Sequence, residues 1–321
     1  MKLKVAILGL GDIGHRFGIS AQGDPLSHSS AYFQHPDIEV IMGIDPDLGA
    51  RSDFNSKFPQ AIVYENIEAF PGKGNPDIVS ICSPTAEHLT GVKAALNWGA
   101  KVILCEKPIA PSIAEAELLV AECARCNCIL IVNYSRRWTP MLEQLHTATR
   151  DNGPLGHLRG AALRYNGGLN HNGTHWIDML LALFGPVADA YCLDNFFENS
   201  DSAESIAMRW DNGFKAYILS VHASGFSIGE GEFWGDRGML RYSDGGQRVV
   251  LQQITNSVWP GYTCLGTETV LCNNGLEGHI SGAIDEAARL ARTGGISRSS
   301  GTSGLEAMRV VEMARKNRIL Q

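Results

Sequence analysis

The feature that most constrains the fold is an apolar strand that runs directly into a glycine-rich turn at the start of the chain. Residues 4–14 read Lys-Val-Ala-Ile-Leu-Gly-Leu-Gly-Asp-Ile-Gly. Before a helix, the first glycine of Gly-x-Gly-x-x-Gly allows a tight turn, the second admits a pyrophosphate and the third lets helix and strand pack closely. We therefore predict a dinucleotide-binding turn. Its cofactor-binding residues are Gly9, Gly11, Asp12, Ile13 and Gly14.

Length and charge limit what the whole chain does. A chain of 321 residues is long enough for about two domains. The formal net charge is −7 and the sequence has no run of basic residues, so we expect no nucleic-acid partner. The apolar stretches are far shorter than the roughly 18 residues of a membrane helix. The first stretch is short and is followed by glycines and Asp12, which is not typical of an export signal. We expect a soluble, cytoplasmic protein.

Alternating strand and helix patterns follow the first strand. Continuous apolar runs at 39–44, 77–82, 101–105 and 129–132 predict strands that are covered on both faces. Helical patterns at 86–98 and from the Ser112-x-x-Glu115 capping box to about residue 126 lie between them. This alternation predicts an α/β Rossmann domain with a doubly wound parallel sheet over residues 1–133.

The pattern changes from residue 134, and we assign residues 134–321 to a second domain. Helices are predicted near 141–150, 173–184 and 280–292, and another after the capping box that begins at Ser303. A strand is predicted at 157–165, and the turn Asp211-Asn212-Gly213 predicts a hairpin because Asn-Gly tolerates positive φ. Helices and antiparallel strands together indicate an α+β domain.

Three cysteines at 123, 126 and 128 have the spacing of a metal or redox motif. No second pair follows at zinc-ribbon spacing, and no strand directly precedes them as in a thioredoxin-like site. We favour a structural role and expect no metal.

Asp45 closes the second strand, where a carboxylate accepts hydrogen bonds from ribose hydroxyls and repels a 2′-phosphate. This placement favours NAD over NADP, with FAD as a more distant alternative. Asp45 alternatively does no more than start the turn Asp-Pro-Asp. It lies 31 residues after Gly14 instead of about 20. We place the extra residues at 17–29, where they interrupt the first helix, and expect His28 there to be a surface loop residue.

Lys107 and His175 are the candidate catalytic residues. Lys107 follows a strand in Glu106-Lys107-Pro108, at the sheet edge where ligands of open α/β folds bind. It either donates to a substrate hydroxyl or the nicotinamide ribose, or is a solvated lysine paired with Glu106. His175, four residues after His171, suits removal of an alcohol proton. The alternatives for His175 are a zinc ligand or a hydrogen-bonded core histidine.

Six motifs in one order connect these stretches. They are Gly9–Gly14, Ser83-Pro84-Thr85 with His88, Cys105–Pro108, Asn133–Pro140, Gly173–Asp178 and Glu232–Gly238. Together they resemble the glucose-fructose oxidoreductase/inositol dehydrogenase/MocA (Gfo/Idh/MocA) family of NAD(P)-dependent oxidoreductases. The resemblance implies a Rossmann domain followed by an α+β domain with an open, mainly antiparallel sheet. It also implies a homodimer or homotetramer formed through that sheet.

The resemblance also implies roles for individual residues. Lys107 contacts substrate and nicotinamide ribose, and His175 is the acid-base residue. Besides Asp45, which is assigned from its position after the second strand, the motifs imply four further cofactor-binding residues, Ser83, Pro84, His88 and Glu106. The family often has an aspartate four residues before the histidine, where this chain has His171. His171 or Asn172 then binds substrate or tunes His175.

Residues after the last Rossmann strand complete the expected site. Tyr134, Arg136 and Arg137 hydrogen-bond hydroxyl or phosphate groups of the substrate, or the arginines form salt bridges. The expected function is hydride transfer between the nicotinamide and a secondary alcohol of a sugar, polyol or sugar nucleotide. The alternatives are a sugar oxidoreductase or redox-assisted glycosidase that retains its NAD(H), and a non-catalytic NAD-binding regulator.

Overall fold

The computed structural model describes residues 1–20, 23–70, 75–193, 202–223 and 225–318. The chain divides into two compact units. The first contains Met1–Trp138 and Gly278–Leu305, and the second contains Thr139–Glu277 and Glu306–Gln321. We expected a single division between residues 133 and 134. In the structure, Gly278–Leu305 also belongs to the first unit.

The first unit contains a six-stranded parallel sheet. Its strands are β1 (Leu3–Leu8), β2 (Ile38–Ile44), β3 (Ile62–Tyr64), β4 (Ile78–Ile81), β5 (Val102–Cys105) and β6 (Ile129–Val132). They lie in the order β3-β2-β1-β4-β5-β6, and every pair is parallel. From β1 the chain first adds strands on one side, β2 and β3, and then on the other side, beginning with β4. Open α/β sheets bind ligands at this switch point between β1 and β4. The predicted Rossmann sheet is confirmed, although the three-residue β3 is too short to have been read from periodicity.

The helices between these strands are α1 (His28–Gln34), α2 (Leu48–Lys57), α3 (His88–Asn97) and α4 (Ile113–Arg125). The side chain of Ser112 accepts a hydrogen bond from the Glu115 amide, as the capping box predicted. After the glycine turn, one wide helical turn covers Asp12–Arg16, and α1 begins only at His28. The extra residues therefore interrupt the first helix, as expected.

The second unit contains a nine-stranded mixed sheet. Its strands are β7 (Leu158–Tyr165), β8 (Asp189–Cys192), β9 (Ile206–Arg209), β10 (Lys215–Ser220), β11 (Gly229–Gly235), β12 (Gly238–Ser243), β13 (Arg248–Asn256), β14 (Thr263–Leu265) and β15 (Thr269–Cys272). The order is β14-β13-β12-β11-β7-β10-β9-β8, with β15 beside β13. All pairs are antiparallel except β7 with β10. The predicted hairpin joins β9 to β10, and Gly213 has φ of 84°.

Two helices, α5 (Pro140–Thr149) and α6 (Thr174–Phe184), pack on one face of this sheet. The Trp176 ring on α6 stacks on Tyr242 of β12, with centroids 5.5 Å apart. Burial alternates along β10, where Ala216 and Ile218 are buried while Tyr217 and Leu219 are exposed. This alternation is typical of a sheet with one covered and one open face.

The last two helices correct two sequence-based expectations. α7 (Ser281–Thr293) buries Ile284 and Ala287 in the same core as Val5 and Leu104 of the parallel sheet. An amphipathic pattern shows that a helix needs a partner but not which sheet supplies it, so the assignment of Gly278–Leu305 needed the structure.

The final helix, α8 (Gly301–Lys316), begins before the expected capping box at Ser303. That capping-box prediction was wrong because Ser300 performs the role. Its Oγ accepts from the Ser303 amide at 3.3 Å, while the Ser303 hydroxyl donates to the Ser300 carbonyl at 2.8 Å. Serines three residues apart both match the start signal, and only their tertiary surroundings distinguish them.

Two kinds of feature are absent from the described ranges. None of the helices described is both long and apolar enough to cross a bilayer. Among the same residues, no group of three or more His, Cys, Asp or Glu side chains is placed to hold a metal ion. Cys123 and Cys128 are buried, whereas Cys126 is exposed at the end of α4.

Candidate functional site

The glycine turn has the shape that a dinucleotide requires. Gly9 has φ of 88°, and a Cβ on it would lie 2.5 Å from the carbonyl carbon of Cys82. A Cβ on Gly14 would lie 2.0 Å from the Gly9 carbonyl oxygen. In contrast, a Cβ on Gly11 would meet no described atom within 4 Å. Packing within the unit therefore requires two of the glycines, while Gly11 keeps the surface open, and the residues fit a pyrophosphate.

Asp45 connects the glycine turn to the end of β2. Its Oδ2 accepts from the Leu10 amide at 2.7 Å, and its Oδ1 accepts from the Asp47 amide at 2.8 Å. The turn-forming interpretation is thus part of its role. Each carboxylate oxygen has a second lone pair, and the half-buried side chain can still receive ribose hydroxyls.

Two arginines lie near the end of β2. Arg51 donates to the Asp45 carbonyl oxygen at 2.7 Å, and Arg16 forms an exposed pair with Asp47 at 3.3 Å. A guanidinium binds a 2′-phosphate well, so arginines at such a position favour NADP, whereas a carboxylate favours NAD.

His88 supports the backbone of the predicted site. It is buried, and its Nε2 and Nδ1 lie 3.0 Å and 3.1 Å from the carbonyl oxygens of Ser83 and Ile109. Burial lowers the pKa of His88, against a raising effect of these hydrogen bonds. The ring therefore links the Ser83-Pro84 segment after β4 to the segment that follows Pro108.

Glu106 points into the protein. Its Oε1 accepts from Asn133 Nδ2 at 2.6 Å and lies 2.9 Å from His28 Nε2, and its Oε2 accepts from the Lys107 amide at 3.3 Å. Burial alone would raise the pKa of this carboxyl. The hydrogen bonds from His28 and Asn133 and the nearby Lys107 charge nevertheless lower it below its ordinary value.

The expectation that His28 is a surface loop residue was wrong. His28 is the first residue of α1 and is fully buried, with Nδ1 2.9 Å from Ser80 Oγ. Ser27 caps the helix through its side chain, so His28 is fixed at the first turn. A histidine that would be costly to bury alone is accommodated here because both ring nitrogens have polar partners.

Lys107 is half-buried at the carboxyl edge of β5. The backbone hydrogen bonds of the sheet continue one residue past the strands here. The Glu106 amide donates to the Ile81 carbonyl oxygen, and the Asn133 amide donates to the Cys105 carbonyl oxygen. The predicted site residues that belong to the first unit thus lie at the carboxyl edge of its six-stranded sheet. These are Gly9, Gly11, Asp45, Ser83, Glu106, Lys107 and Tyr134.

The segment after β6 is held by a buried carboxylate. Glu286 accepts from Trp138 Nε1 at 2.8 Å, from Ser297 Oγ at 2.7 Å and from the Arg298 amide at 2.8 Å. Tyr134 is buried and Arg136 is half-buried, while Arg137 donates to the Arg298 carbonyl oxygen.

In the second unit, the histidine pair lies where a wide turn becomes a helix. Leu169–Gly173 forms this turn, and α6 begins at Thr174, so His175 lies in the first turn of a helix. His171 is exposed and His175 is half-buried. Asn172 donates from Nδ2 to the Asn166 carbonyl at 2.8 Å.

Four residues that form a hydrogen-bonding group around Glu106 were not predicted as a group from the sequence, namely His28, Tyr32, Ser80 and Asn133. One local signal was available. His28 and Tyr32 are four residues apart after the cap Ser27, so they share one face of a helix. Ser80 is in the middle of an apolar strand, and its partners come from distant parts of the chain.

A comparison with protein-family models matches residues 3–134 to the Gfo/Idh/MocA model, described as an oxidoreductase family with an NAD-binding Rossmann fold. The order of motifs and the sheet topology agree with it. Residues 3–134 are therefore similar to the NAD-binding Rossmann part of the Gfo/Idh/MocA family.

One protein that is similar to this chain is a D-glucoside 3-dehydrogenase of Escherichia coli K12. It is 28% identical over 156 residues, which are 49% of this chain and 41% of the relative. The chain thus matches less than half the length of this relative.

Solved structures resemble the full chain in fold. An oxidoreductase from Agrobacterium radiobacter in complex with NAD+, L-tartaric acid and magnesium has a TM-score of 0.76 at 18% identity, over 98% of this chain and 96% of that one. A 3-ketoreductase from Actinomadura kijaniata, in complex with TDP-benzene and NADP, has a TM-score of 0.78 at 19% identity, over 99% and 98%. The two relatives bind different nicotinamide cofactors, so membership of the fold does not decide between NAD and NADP.

Proposed function

We propose that this protein is an NAD-dependent oxidoreductase that acts on a secondary alcohol of a sugar, polyol or sugar nucleotide. The observation that carries the proposal is the glycine turn, in which Gly9 and Gly14 are required by packing while Gly11 leaves open surface. The sugar substrate named for the Escherichia coli relative supports the substrate class.

The nicotinamide would accept or donate the hydride, and the protein would manage the alcohol proton. In this proposal His175 takes the hydroxyl proton, since an imidazole titrates close to neutrality. Lys107 orients the hydroxyl and stabilises the developing alkoxide with its ammonium group. Tyr134, Arg136, His171 and Asn172 are the proposed substrate contacts.

NAD is the proposed cofactor because Asp45 offers a carboxylate to the adenine ribose. Asp45→Asn keeps a side-chain oxygen for the turn and removes the charge that repels a 2′-phosphate. We expect the ratio of NADH to NADPH affinity, measured by nucleotide fluorescence, to fall by about tenfold. An unchanged ratio would remove Asp45 from cofactor selection.

The catalytic assignment is tested by screening polyols, sugars and sugar nucleotides for NAD reduction and then comparing variants. Lys107→Ala and His175→Ala should each lower kcat by about a hundredfold or more, with the NADH dissociation constant within about twofold. Lys101→Ala, which removes an exposed lysine paired with Asp77, is the matched control and should retain activity. Full activity in His175→Ala on the best substrate would exclude the proposed base.

We also propose that the chain forms a homodimer or homotetramer through the open face of its second-unit sheet. Tyr217 and Leu219 are exposed there at 38% and 37%, and Val258, Trp259 and Tyr262 are more exposed still, beside β13 and β14. Light scattering of the purified protein should give a multiple of 34.8 kDa. A monomer at micromolar concentration would contradict this assembly.

A further inference from the structure

A buried series of hydrogen bonds leads from the core of the first unit to the residue before Lys107. The Tyr32 hydroxyl lies 2.7 Å from Ser80 Oγ, and Ser80 Oγ lies 2.9 Å from His28 Nδ1. His28 Nε2 then lies 2.9 Å from Glu106 Oε1. These groups come from α1, β4 and the end of β5, so the fold brings three distant segments together.

One arrangement of protons satisfies the whole series. Tyr32 donates to Ser80, the Ser80 hydroxyl donates to His28 Nδ1, and His28 Nε2–H donates to the Glu106 carboxylate. Tyr32 is 1% exposed. Because the series ends in the core and not in water, it holds a proton in place and does not conduct one.

We propose that His28 is a positioning residue for Lys107, acting through Glu106. His28 holds one oxygen of the carboxylate, while the other accepts from the Lys107 backbone amide at 3.3 Å. Fixing the carboxylate fixes the start of the Lys107-Pro108 turn and the negative charge that faces the lysine. The catalytic part of this inference rests on the function proposed for Lys107.

Other groups that could titrate around Glu106 belong to three elements. Cys82 follows β4, Cys105 ends β5 and His88 begins α3, and each of them is buried and interacts electrostatically with Glu106. Burial raises the pKa of both thiols and lowers the pKa of His88. The Asn133 amide supplies a further, uncharged donor.

Two conservative variants separate the contact with Glu106 from the presence of a polar side chain. His28→Gln places an amide N–H near the position of Nε2 and keeps the donor to Glu106. His28→Asn places its amide near Nδ1, beside Ser80, and loses that donor. Without the donor, the buried Glu106 carboxyl should bind a proton at higher pH than in the wild type.

The experiment reads Lys107 directly. Lysines of the full chain are reductively methylated with ¹³C, the Lys107 signal is assigned with Lys107→Arg, and its chemical shift is followed from pH 8 to pH 5. We expect a constant wild-type signal, an inflection within this range in His28→Asn, a wild-type profile in His28→Gln, and no inflection in His28→Asn/Glu106→Gln. A constant signal in His28→Asn, or an inflection that persists in the double variant, would overturn the proposal.

Turnover gives the second measurement. His28→Asn should lower kcat about tenfold with the NADH dissociation constant within about twofold, and His28→Gln should recover most of the loss. Equal losses in both variants would overturn the positioning role. If the wild type oxidised no alcohol, the proposed function would fail while the NMR titration would still decide the role of His28. If His28→Asn does not fold, His28→Ser, which also lacks a donor within reach of Glu106, replaces it, and a flat Lys107 profile in that variant overturns the proposal.

Discussion

The two sheets of this protein place different demands on their sequences. In the parallel sheet every residue of β4 and β5 is buried, whereas in β10 of the mixed sheet buried and exposed residues alternate. The parallel sheet is covered on both faces. In the turn after β1, Gly9 and Gly14 pack closely against backbone atoms. The turn after β1 is therefore constrained by main-chain packing, whereas burial along β10 depends on which face of the sheet each side chain occupies.

The largest effect is expected at the glycine turn. Gly14→Ala would place a methyl group against the Gly9 carbonyl, and because backbone cannot retreat we expect a loss of about 4 kcal/mol in the free energy of unfolding of the first unit. Gly11→Ala should leave unfolding within about 0.5 kcal/mol and weaken NADH binding. Denaturant titrations and nucleotide fluorescence measure both. Equal stability losses would contradict a turn with one open glycine.

The next effect contrasts the two sheets. Leu104→Ala removes a fully buried side chain of β5 and should lower the free energy of unfolding by about 2–5 kcal/mol. Leu219→Ala, on the exposed face of β10, should change it by no more than about 0.5 kcal/mol in a monomeric chain. A large loss in Leu219→Ala that depends on protein concentration would show that a second copy covers this face.

A smaller effect tests whether Gly278–Leu305 belongs to the first unit. Glu286→Gln removes a buried carboxylate that accepts from Trp138, Ser297 and Arg298, and should cost about 1–2 kcal/mol. Glu306→Gln, in an exposed pair with Arg309, is the control and should cost less than about 0.5 kcal/mol. The loss should appear in the calorimetric transition that added NADH raises. A loss confined to the other transition would place the segment elsewhere.

The smallest effect concerns acid. Burial lowers the pKa of His88 and, with the nearby charge of Lys57, that of His15, so the unfolded chain takes up protons below about pH 6.5 more readily than the folded unit does. Stability from these groups is therefore present above that pH and lost as pH falls from 7 to 5, by about 1 kcal/mol or less. Unfolding midpoints at pH 7, 6 and 5 measure the slope. His15→Asn should reduce it, and a midpoint that rises with acid would contradict the sign.

Local sequence signals were enough to predict five of the six parallel strands and the candidate cofactor turn. Apolar runs covered on both faces, the cap at Ser112 and the three glycines are local signals, because each depends on neighbours along the chain. The hairpin at Gly213 and the helix that begins beside His175 are local in the same sense.

Three features could not be predicted without the fold: the sheet against which α7 packs, the start of α8 and the burial of His28. Each depends on a partner far along the chain: the parallel sheet for α7, Ile131 bridged to Ser300 for α8, and Ser80 and Glu106 for His28. A polar side chain reads as exposed until its hydrogen-bond partners are known, and those partners are fixed by the fold rather than by the neighbouring residues.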